Sequence, residues 1–191
     1  MNGAARVGVI GVGNMGSPMA ARLLERGWRV GVRDLRPAAE APLAAAGAWI
    51  ADSPAALAAR CEVLMLVVVD AVQLNAVLFD GPQPAAPTLH AGQIVLAHST
   101  VAPDQVRALA ARLAPTGAVL LDAPMSGGPA RARAGTLALM LAGPEGACAA
   151  AAPLLADLAN AVFRLGAAPG QAAAMKLVNN LLAGVHLAAA A

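Results

Sequence analysis

Aromatic side chains make up only 2% of this 191-residue chain, and charged residues only 13%. The basic residues are almost all scattered arginines, and Lys176 is the only lysine. With no basic run and almost no rings to stack on bases, the composition excludes a nucleic-acid partner. Two cysteines, Cys61 and Cys148, have no ligand partners at metal-binding spacing, so no metal site is expected. They read as small thiols of a reducing compartment.

Long apolar runs are missing as well. Hydrophobic residues reach 59%, but the excess is largely alanine. No unbroken apolar stretch approaches the roughly 18 residues that a spanning helix needs. Val63–Val69 has strand length, and the Ala-rich C-terminus is interrupted by Gly184 and His186. At the other end, Gly8 to Gly16 interrupts any apolar segment of a secretory leader. No membrane and a cytoplasmic location are the expectation.

What the chain does have is an apolar, β-branched start, Val7-Gly8-Val9-Ile10, that breaks into Gly11-Val12-Gly13-Asn14-Met15-Gly16 and runs on into a helix-prone segment, Met15–Arg26. Strand, G-x-G-x-x-G turn and helix in that order suit a dinucleotide pyrophosphate. Gly11 permits the tight turn. Gly13, without a Cβ, lets backbone approach the phosphates. Gly16 lets the helix pack close to the strand. The helix start then offers unpaired N–H groups and a positive dipole end.

Strand and helix patterns alternate from there on. Strands are expected at Arg6–Ile10, Arg29–Val32, Ala48–Ile50, Val63–Val69, Ile94–Ala97, Ala118–Leu121, Thr136–Leu141 and Ala161–Arg164. Helices follow Pro37 (broken by Pro42), Pro54 (capped by Asp52 or Ser53), Val72–Phe79, Pro103–Leu113 and Glu145–Leu158, with a last long helix over Gln171–Ala191. The alternation predicts an α/β fold with a doubly wound parallel sheet of Rossmann type.

Ligands of such sheets bind at the carboxyl ends of strands. Asp34, 18 residues past Gly16, ends the second strand. It either reads the ribose hydroxyls, which favours NAD over NADP, or is a solvated loop acid. Arg33 and Arg36 beside it can instead hold a 2′-phosphate. The turn at Val69 and Asp70 and the His98-Ser99-Thr100 turn stand at the next strand ends. Ser99 or Thr100 serves the nicotinamide half or caps the following helix, and His98 is a proton carrier or a packed side chain. In Asp122-Ala123-Pro124-Met125-Ser126-Gly127-Gly128 the glycine pair exposes backbone N–H groups that suit a carboxylate, with the Ser126 hydroxyl beside them, or else forms a plain turn. Lys176 and Asn180 share one face of an otherwise apolar helix. An ammonium in an apolar cleft loses basicity, which suits proton exchange with a substrate oxygen.

Together these motifs resemble the β-hydroxyacid dehydrogenases. Gly11-Val12-Gly13-Asn14-Met15-Gly16-Ser17-Pro18-Met19-Ala20 looks like that family's cofactor motif, Asp122 to Gly128 its substrate motif, Gly135-Thr136-Leu137 the segment after it, and Lys176-Leu177-Val178-Asn179-Asn180 its catalytic motif. The resemblance implies Lys176 as general acid/base, Asn180 as substrate-positioning residue, and Ser126, Gly127 and Gly128 as the carboxylate site. It also implies Gly11, Gly13, Asn14, Met15, Gly16, Asp34, Val69 and Thr100 around NAD. The run from Leu181 to Ala191 is similar to the L-threonate dehydrogenase branch, although Asn180 stands where that branch commonly has glutamine. Oxidation of a small sugar acid such as threonate is therefore expected, with 3-hydroxyisobutyrate and tartronate semialdehyde as alternative substrates. Members of the family carry a further all-helical domain and form homo-oligomers. The expected organisation is an NAD-binding domain over 1–168 and the beginning of an interdomain helix over 169–191, with that further domain lacking. The chain is then either an enzyme or a silent cofactor-binding fragment with an exposed apolar helix face.

Overall fold

The structure, a computed structural model, describes residues 6–191, so the first five residues of the expected 1–168 domain lie outside it. Strands β1 (Arg6–Ile10), β2 (Arg29–Arg33), β3 (Trp49–Ile50), β4 (Val63–Leu66), β5 (Ile94–Ala97) and β6 (Val119–Asp122) pair in parallel in the order β3-β2-β1-β4-β5-β6. The order reverses between β1 and β4. A crevice opens at such a switch point outside the carboxyl ends of the strands.

Helices cover both faces. α1 (Gly16–Glu25), α2 (Pro37–Ala45), α6 (Gly128–Ala134) and α7 (Glu145–Leu158) pack Met19, Leu23, Leu43, Ala132 and Leu154 on one face. α3 (Pro54–Ala58), α4 (Ala71–Asn75), α5 (Pro103–Leu113) and α8 (Gln171–Ala189) pack Leu57, Leu74, Leu109, Leu113 and Ala173 on the other. β4 shows the consequence: Val63 and Met65 enter one core, Leu64 and Leu66 the other, and all four are buried. A strand covered on both faces reads as an unbroken apolar run, which is the pattern that identifies it in the sequence.

The far edge departs from the all-parallel expectation. β7 (Met125–Ser126) and β8 (Leu137–Ala142) pair antiparallel, and β8 also runs antiparallel to β6 at Asp122 and Ala142. β9 (Ala159–Gly166) lies parallel to β8. Gly127 and Gly128 reverse the chain between β7 and α6 with φ of 134° and 75°, values that L side chains rarely adopt. The chain thus folds back on one edge instead of crossing over the sheet.

Three local expectations are corrected. α2 runs through Pro42 instead of breaking there; the ring removes a single N–H inside the helix, and the Pro42 carbonyl still accepts from Ala46 N at 3.1 Å. β4 ends at Leu66, and Val67 to Val69 leave the sheet, with Val69 exposed at the rim. α4 is short and continues as a π turn over Ala76–Asp80. Of the two cap candidates for α3, Ser53 accepts from Ala56 N at 3.1 Å.

α8 buries Ala172, Ala173 and Lys176 and leaves Leu177, Val178, Leu181, Leu182, Val185 and Leu187 exposed. By length and composition it is also apolar enough to cross a membrane. Counting unbroken apolar runs misses this, because Lys176, Asn179, Asn180 and His186 interrupt the sequence while the mean hydropathy of the helix still reaches 1.2.

Candidate functional site

The turn after β1 is built by close approach. Gly11 has φ of 87°, and a Cβ there would lie 2.5 Å from the Val67 carbonyl oxygen. A Cβ on Gly16 would lie 1.9 Å from the Gly11 oxygen, so the start of α1 packs directly on the turn. Gly13 differs. A Cβ there would meet only the Arg36 guanidinium, at 3.6 Å, and the space over its backbone is open. Two of the three glycines serve the protein's own packing, and the third leaves room for a ligand.

Asp34 is not a solvated loop acid. Its side chain is only 10% exposed. Oδ2 accepts from Val12 N at 2.9 Å, inside the glycine turn, and Oδ1 accepts from Arg36 N at 3.0 Å and Arg36 Nε at 3.3 Å. Asp34 N in turn donates to Glu40 Oε1 at 2.7 Å, and Glu40 pairs with Arg33 at 3.3 Å. The carboxylate therefore ties the end of β2 to the turn after β1.

A cleft of about 580 Å³ lies at the switch point. Such a volume falls within the range of small-molecule sites, about 300–1,000 Å³. Of the residues singled out in the sequence, Gly13, Asn14, Met15, Val69, His98, Ser99, Thr100, Ser126, Gly127, Gly128, Lys176 and Asn180 line it together, although they come from five separate stretches. Gly11, Gly16 and Asp34 are not in its wall; they shape and brace the turn beneath it. β7 fixes Ser126 through its pairing with Ala138 of β8, next to the chain reversal.

The turn after β5 closes the middle of the wall. Ser99 Oγ donates to the Val68 carbonyl at 2.6 Å, joining the ends of β4 and β5. Neither Ser99 nor Thr100 caps α5; the N–H of Ala102 at its start donates to Gln105 Oε1 at 2.9 Å. His98, 3% exposed, has Nδ1 at 2.7 Å from the Ala123 carbonyl, so Nδ1 carries the hydrogen. Nε2 has no partner among the described residues. Burial pushes the imidazole down from 6.5 to about 4, so it is neutral near pH 7. It is a packed side chain that anchors the segment before Ser126, and it also borders the cleft.

Lys176 is 8% exposed and has no ion-pair partner among the described residues. Burial without a counter-charge holds its ammonium below the usual lysine range. Asn180, four residues on, reaches the same cleft from the exposed side of α8.

Val67 and Val68 were not read from the sequence as part of the site, and Asp122 was read only as the start of the Asp122–Gly128 motif. Val67 and Val68 enter the wall because they leave β4, whereas their apolar run reads as strand. Asp122 is 1% exposed and bonds the start of α8, with Oδ2 accepting from Gly170 N at 3.0 Å and Ala173 N at 2.9 Å. The sequence marks it as the acid that closes an apolar strand and opens the Asp122–Gly128 stretch, with no sign of its bond to α8. Among the described residues no group of three His, Cys, Asp or Glu gathers at metal-binding geometry. The two thiols are free and buried, and burial raises Cys61 to about 12.

Residues 6–166 match the NAD binding domain of 6-phosphogluconate dehydrogenase. The chain is 47% identical to an L-threonate dehydrogenase of Cupriavidus necator over 97% of its own length and 62% of that protein's. It superposes with a TM-score of 0.90 on a solved 3-hydroxyisobutyrate dehydrogenase from Salmonella typhimurium, 37% identical, covering 97% of this chain and 65% of that one. A solved complex with NADP+ and 2-OPP superposes with a TM-score of 0.91 at 31% identity, covering 96% and 64%. The chain thus spans somewhat less than two thirds of the length of each of these relatives.

Proposed function

Because the chain belongs to the family of the NAD binding domain of 6-phosphogluconate dehydrogenase, which its residues 6–166 match, we propose that it holds the cofactor-binding and proton-transfer parts of an NAD-dependent hydroxyacid dehydrogenase. L-Threonate is the substrate we favour, on the 47% identity to a protein of that name. One observation carries the reading: the lone lysine, deprived of a counter-charge, lines the same cleft as the glycine turn and the Ser126–Gly128 turn.

The cleft suits a dinucleotide, since the backbone over Gly13 is open and α1 begins directly behind it. Gly13, Asn14 and Met15 would hold the pyrophosphate, and Val69 and Thr100 would flank the nicotinamide half. When bound, the nicotinamide takes or gives the hydride. The chain supplies alignment and proton transfer. Ser126 Oγ and the N–H groups of Gly127 and Gly128 hold the substrate carboxylate. Neutral Lys176 accepts the proton of the substrate hydroxyl at Nζ as the alcohol becomes a carbonyl, and the ammonium returns it in the reverse direction. Asn180 orients the same hydroxyl. Family membership extends the reading to a cytoplasmic protein that pairs with further copies of itself.

Oxidation of L-threonate by NAD, followed as NADH absorbance beside 3-hydroxyisobutyrate and beside glycerate, the alcohol whose oxidation gives tartronate semialdehyde, tests the proposal. Threonate is expected to give the highest kcat/KM. A preference for another acid replaces the substrate, and saturable NADH binding without any turnover marks a cofactor-binding piece. No NADH binding at millimolar concentration overturns the reading as a whole.

Arg36, at the cleft rim beside Gly13, supports NADP as the second cofactor. Asp34 decides between the two. Its replacement by alanine frees the Val12 N–H and so loosens the turn for either cofactor. If the acid also reads the ribose, NADH loses an additional charged hydrogen bond worth about 1.5–3 kcal/mol, or roughly 10- to 100-fold in Kd. Fluorescence titration of Asp34→Ala is expected to show that extra loss for NADH over NADPH; parallel losses would mean that Asp34 serves the turn alone.

A further inference from the structure

The cleft has two working halves on different elements. The Ser126–Gly128 turn continues from β6, whereas Lys176 and Asn180 ride on α8. In the sequence these halves are about 50 residues apart. Their spacing in the folded chain must therefore be set by whatever joins the end of β6 to the start of α8.

One side chain makes that junction directly. Asp122 is the last residue of β6, between Ala97 of β5 and Ala142 of β8 in the sheet. Its backbone leads straight on to Ala123, which His98 holds, and to the β7 pair that carries Ser126. Its carboxylate, 1% exposed, turns the other way. Oδ2 accepts the N–H groups of Gly170 and Ala173, the cap residue of α8 and its third residue. Helix starts leave N–H groups without intrahelical partners, and an acceptor from outside the helix fixes where that first turn sits. Ala173 is one turn before Lys176, so any shift of the first turn is transmitted to the lysine through the helix backbone. The junction is also tight around Gly170, where an added Cβ would lie 2.8 Å from both Arg107 Nη1 and the Pro103 oxygen of α5.

We propose that Asp122 is a positioning residue, whose buried carboxylate locks the first turn of α8 to the end of β6 and so sets Lys176 against the Ser126–Gly128 turn. The inference rests on the reading of Lys176 as the acid/base, and it gives Asp122 no contact with substrate or cofactor. The acid works as a hydrogen-bond acceptor, not as a counter-charge to the lysine. An amide oxygen at the same place should therefore serve nearly as well.

The single lysine makes this measurable without turnover. Lysine labelled with ¹⁵N gives one side-chain resonance in the whole chain, and its pH titration reports the surroundings of Lys176. In the unaltered chain it is expected to titrate below the ordinary lysine range. In Asp122→Ala, α8 loosens, the ammonium gains water, and the titration moves up toward the ordinary value. In Asp122→Asn it stays where the unaltered chain has it. Where threonate turnover is present, Asp122→Ala should lower kcat by up to about 100-fold, the scale of a misplaced catalytic group, with NADH affinity unchanged, and Asp122→Asn should restore most of it. If Asp122→Ala does not fold, Asp122→Ser takes its place, with an oxygen too short to reach both N–H groups.

A folded variant in which Lys176 titrates as in the unaltered chain overturns the proposal, because a cap of purely structural value would lower stability and leave the lysine alone. An equal upward shift in Asp122→Asn overturns it as well, since geometry would then not be what matters. Failure of the dehydrogenase reading would show differently, as absent cofactor binding or turnover in the unaltered chain, with the titration still informative.

Discussion

Replacing Lys176 by methionine is expected to lower the rate of threonate oxidation by about 10²- to 10⁴-fold, the range typical of a lost general acid–base group. Methionine retains an unbranched stem in the half-apolar wall, so α8 keeps its place and NADH should bind as before. The effect is then confined to kcat. Arginine is the sharper control. It retains the positive charge, but a guanidinium does not release its proton near neutral pH, so Lys176→Arg should be nearly as slow as Lys176→Met. The direction of the pH profile follows from burial. The ammonium is held below the usual lysine range with no counter-charge to raise it, and oxidation needs the neutral amine. Activity should therefore rise with pH and level off earlier than a solvent-exposed lysine would allow. Stopped-flow or steady-state rates across pH 6–10 check this. Rates within tenfold of the unaltered chain in both variants would remove Lys176 from the chemistry.

The parts of this site that were legible in the sequence are those in which a local pattern carries its own physical reason. Gly11, Gly13 and Gly16 have their spacing because a strand, a turn and a helix must meet within six residues, and the structure gives two of them the close contacts that the spacing demands. Lys176 and Asn180 were legible because a polar pair four residues apart on an apolar helix forms one face. β4 and β5 were legible as apolar runs because both sheet faces are covered. What stayed hidden depends on contacts between distant segments. Asp34 looks like a free acid at a strand end, yet its oxygens are engaged by Val12 and Arg36. Asp122 gives no sign that it bonds residues some 50 positions later. Val67 to Val69 are as β-prone as the residues before them, but the strand ends at Leu66, and the Val67 carbonyl lies against the Gly11 turn, where a Cβ would stand 2.5 Å from it. The antiparallel edge was missed because β7 is two residues long, too short for any period to appear, and the reversal after it depends on φ at Gly127 and Gly128.

Acid should weaken this fold through a residue to which the proposed mechanism gives no step. His98 is buried with Nδ1–H donated to the Ala123 carbonyl and Nε2 unpaired. A second proton would place a charge where no acceptor stands to meet it, and burial therefore lowers the imidazole from 6.5 to about 4. In the unfolded chain it binds that proton near 6.5. Between these values the unfolded state holds more protons than the folded one, so stability rises with pH. The contribution is complete above pH 6.5, falls as the pH drops through the window, and is gone below about 4. Its size is about 3 kcal/mol, since each pH unit of the gap is worth about 1.4 kcal/mol, and this is a large share of the roughly 5–15 kcal/mol that hold a domain together. His98→Asn separates this from every other titration. Its side-chain amide can still donate to Ala123, but it does not titrate. Urea unfolding of both chains from pH 7 to pH 4 should show the unaltered chain losing about 3 kcal/mol more than the variant. Asp122, whose carboxyl burial raises, titrates in both chains and cancels in the difference. Parallel curves would mean that the imidazole is hydrated or paired in the folded chain. A converging pair would place the acid sensitivity at Ala123, one step from Asp122 and three from Ser126. The lock on α8 and the carboxylate turn would then share one pH-sensitive anchor.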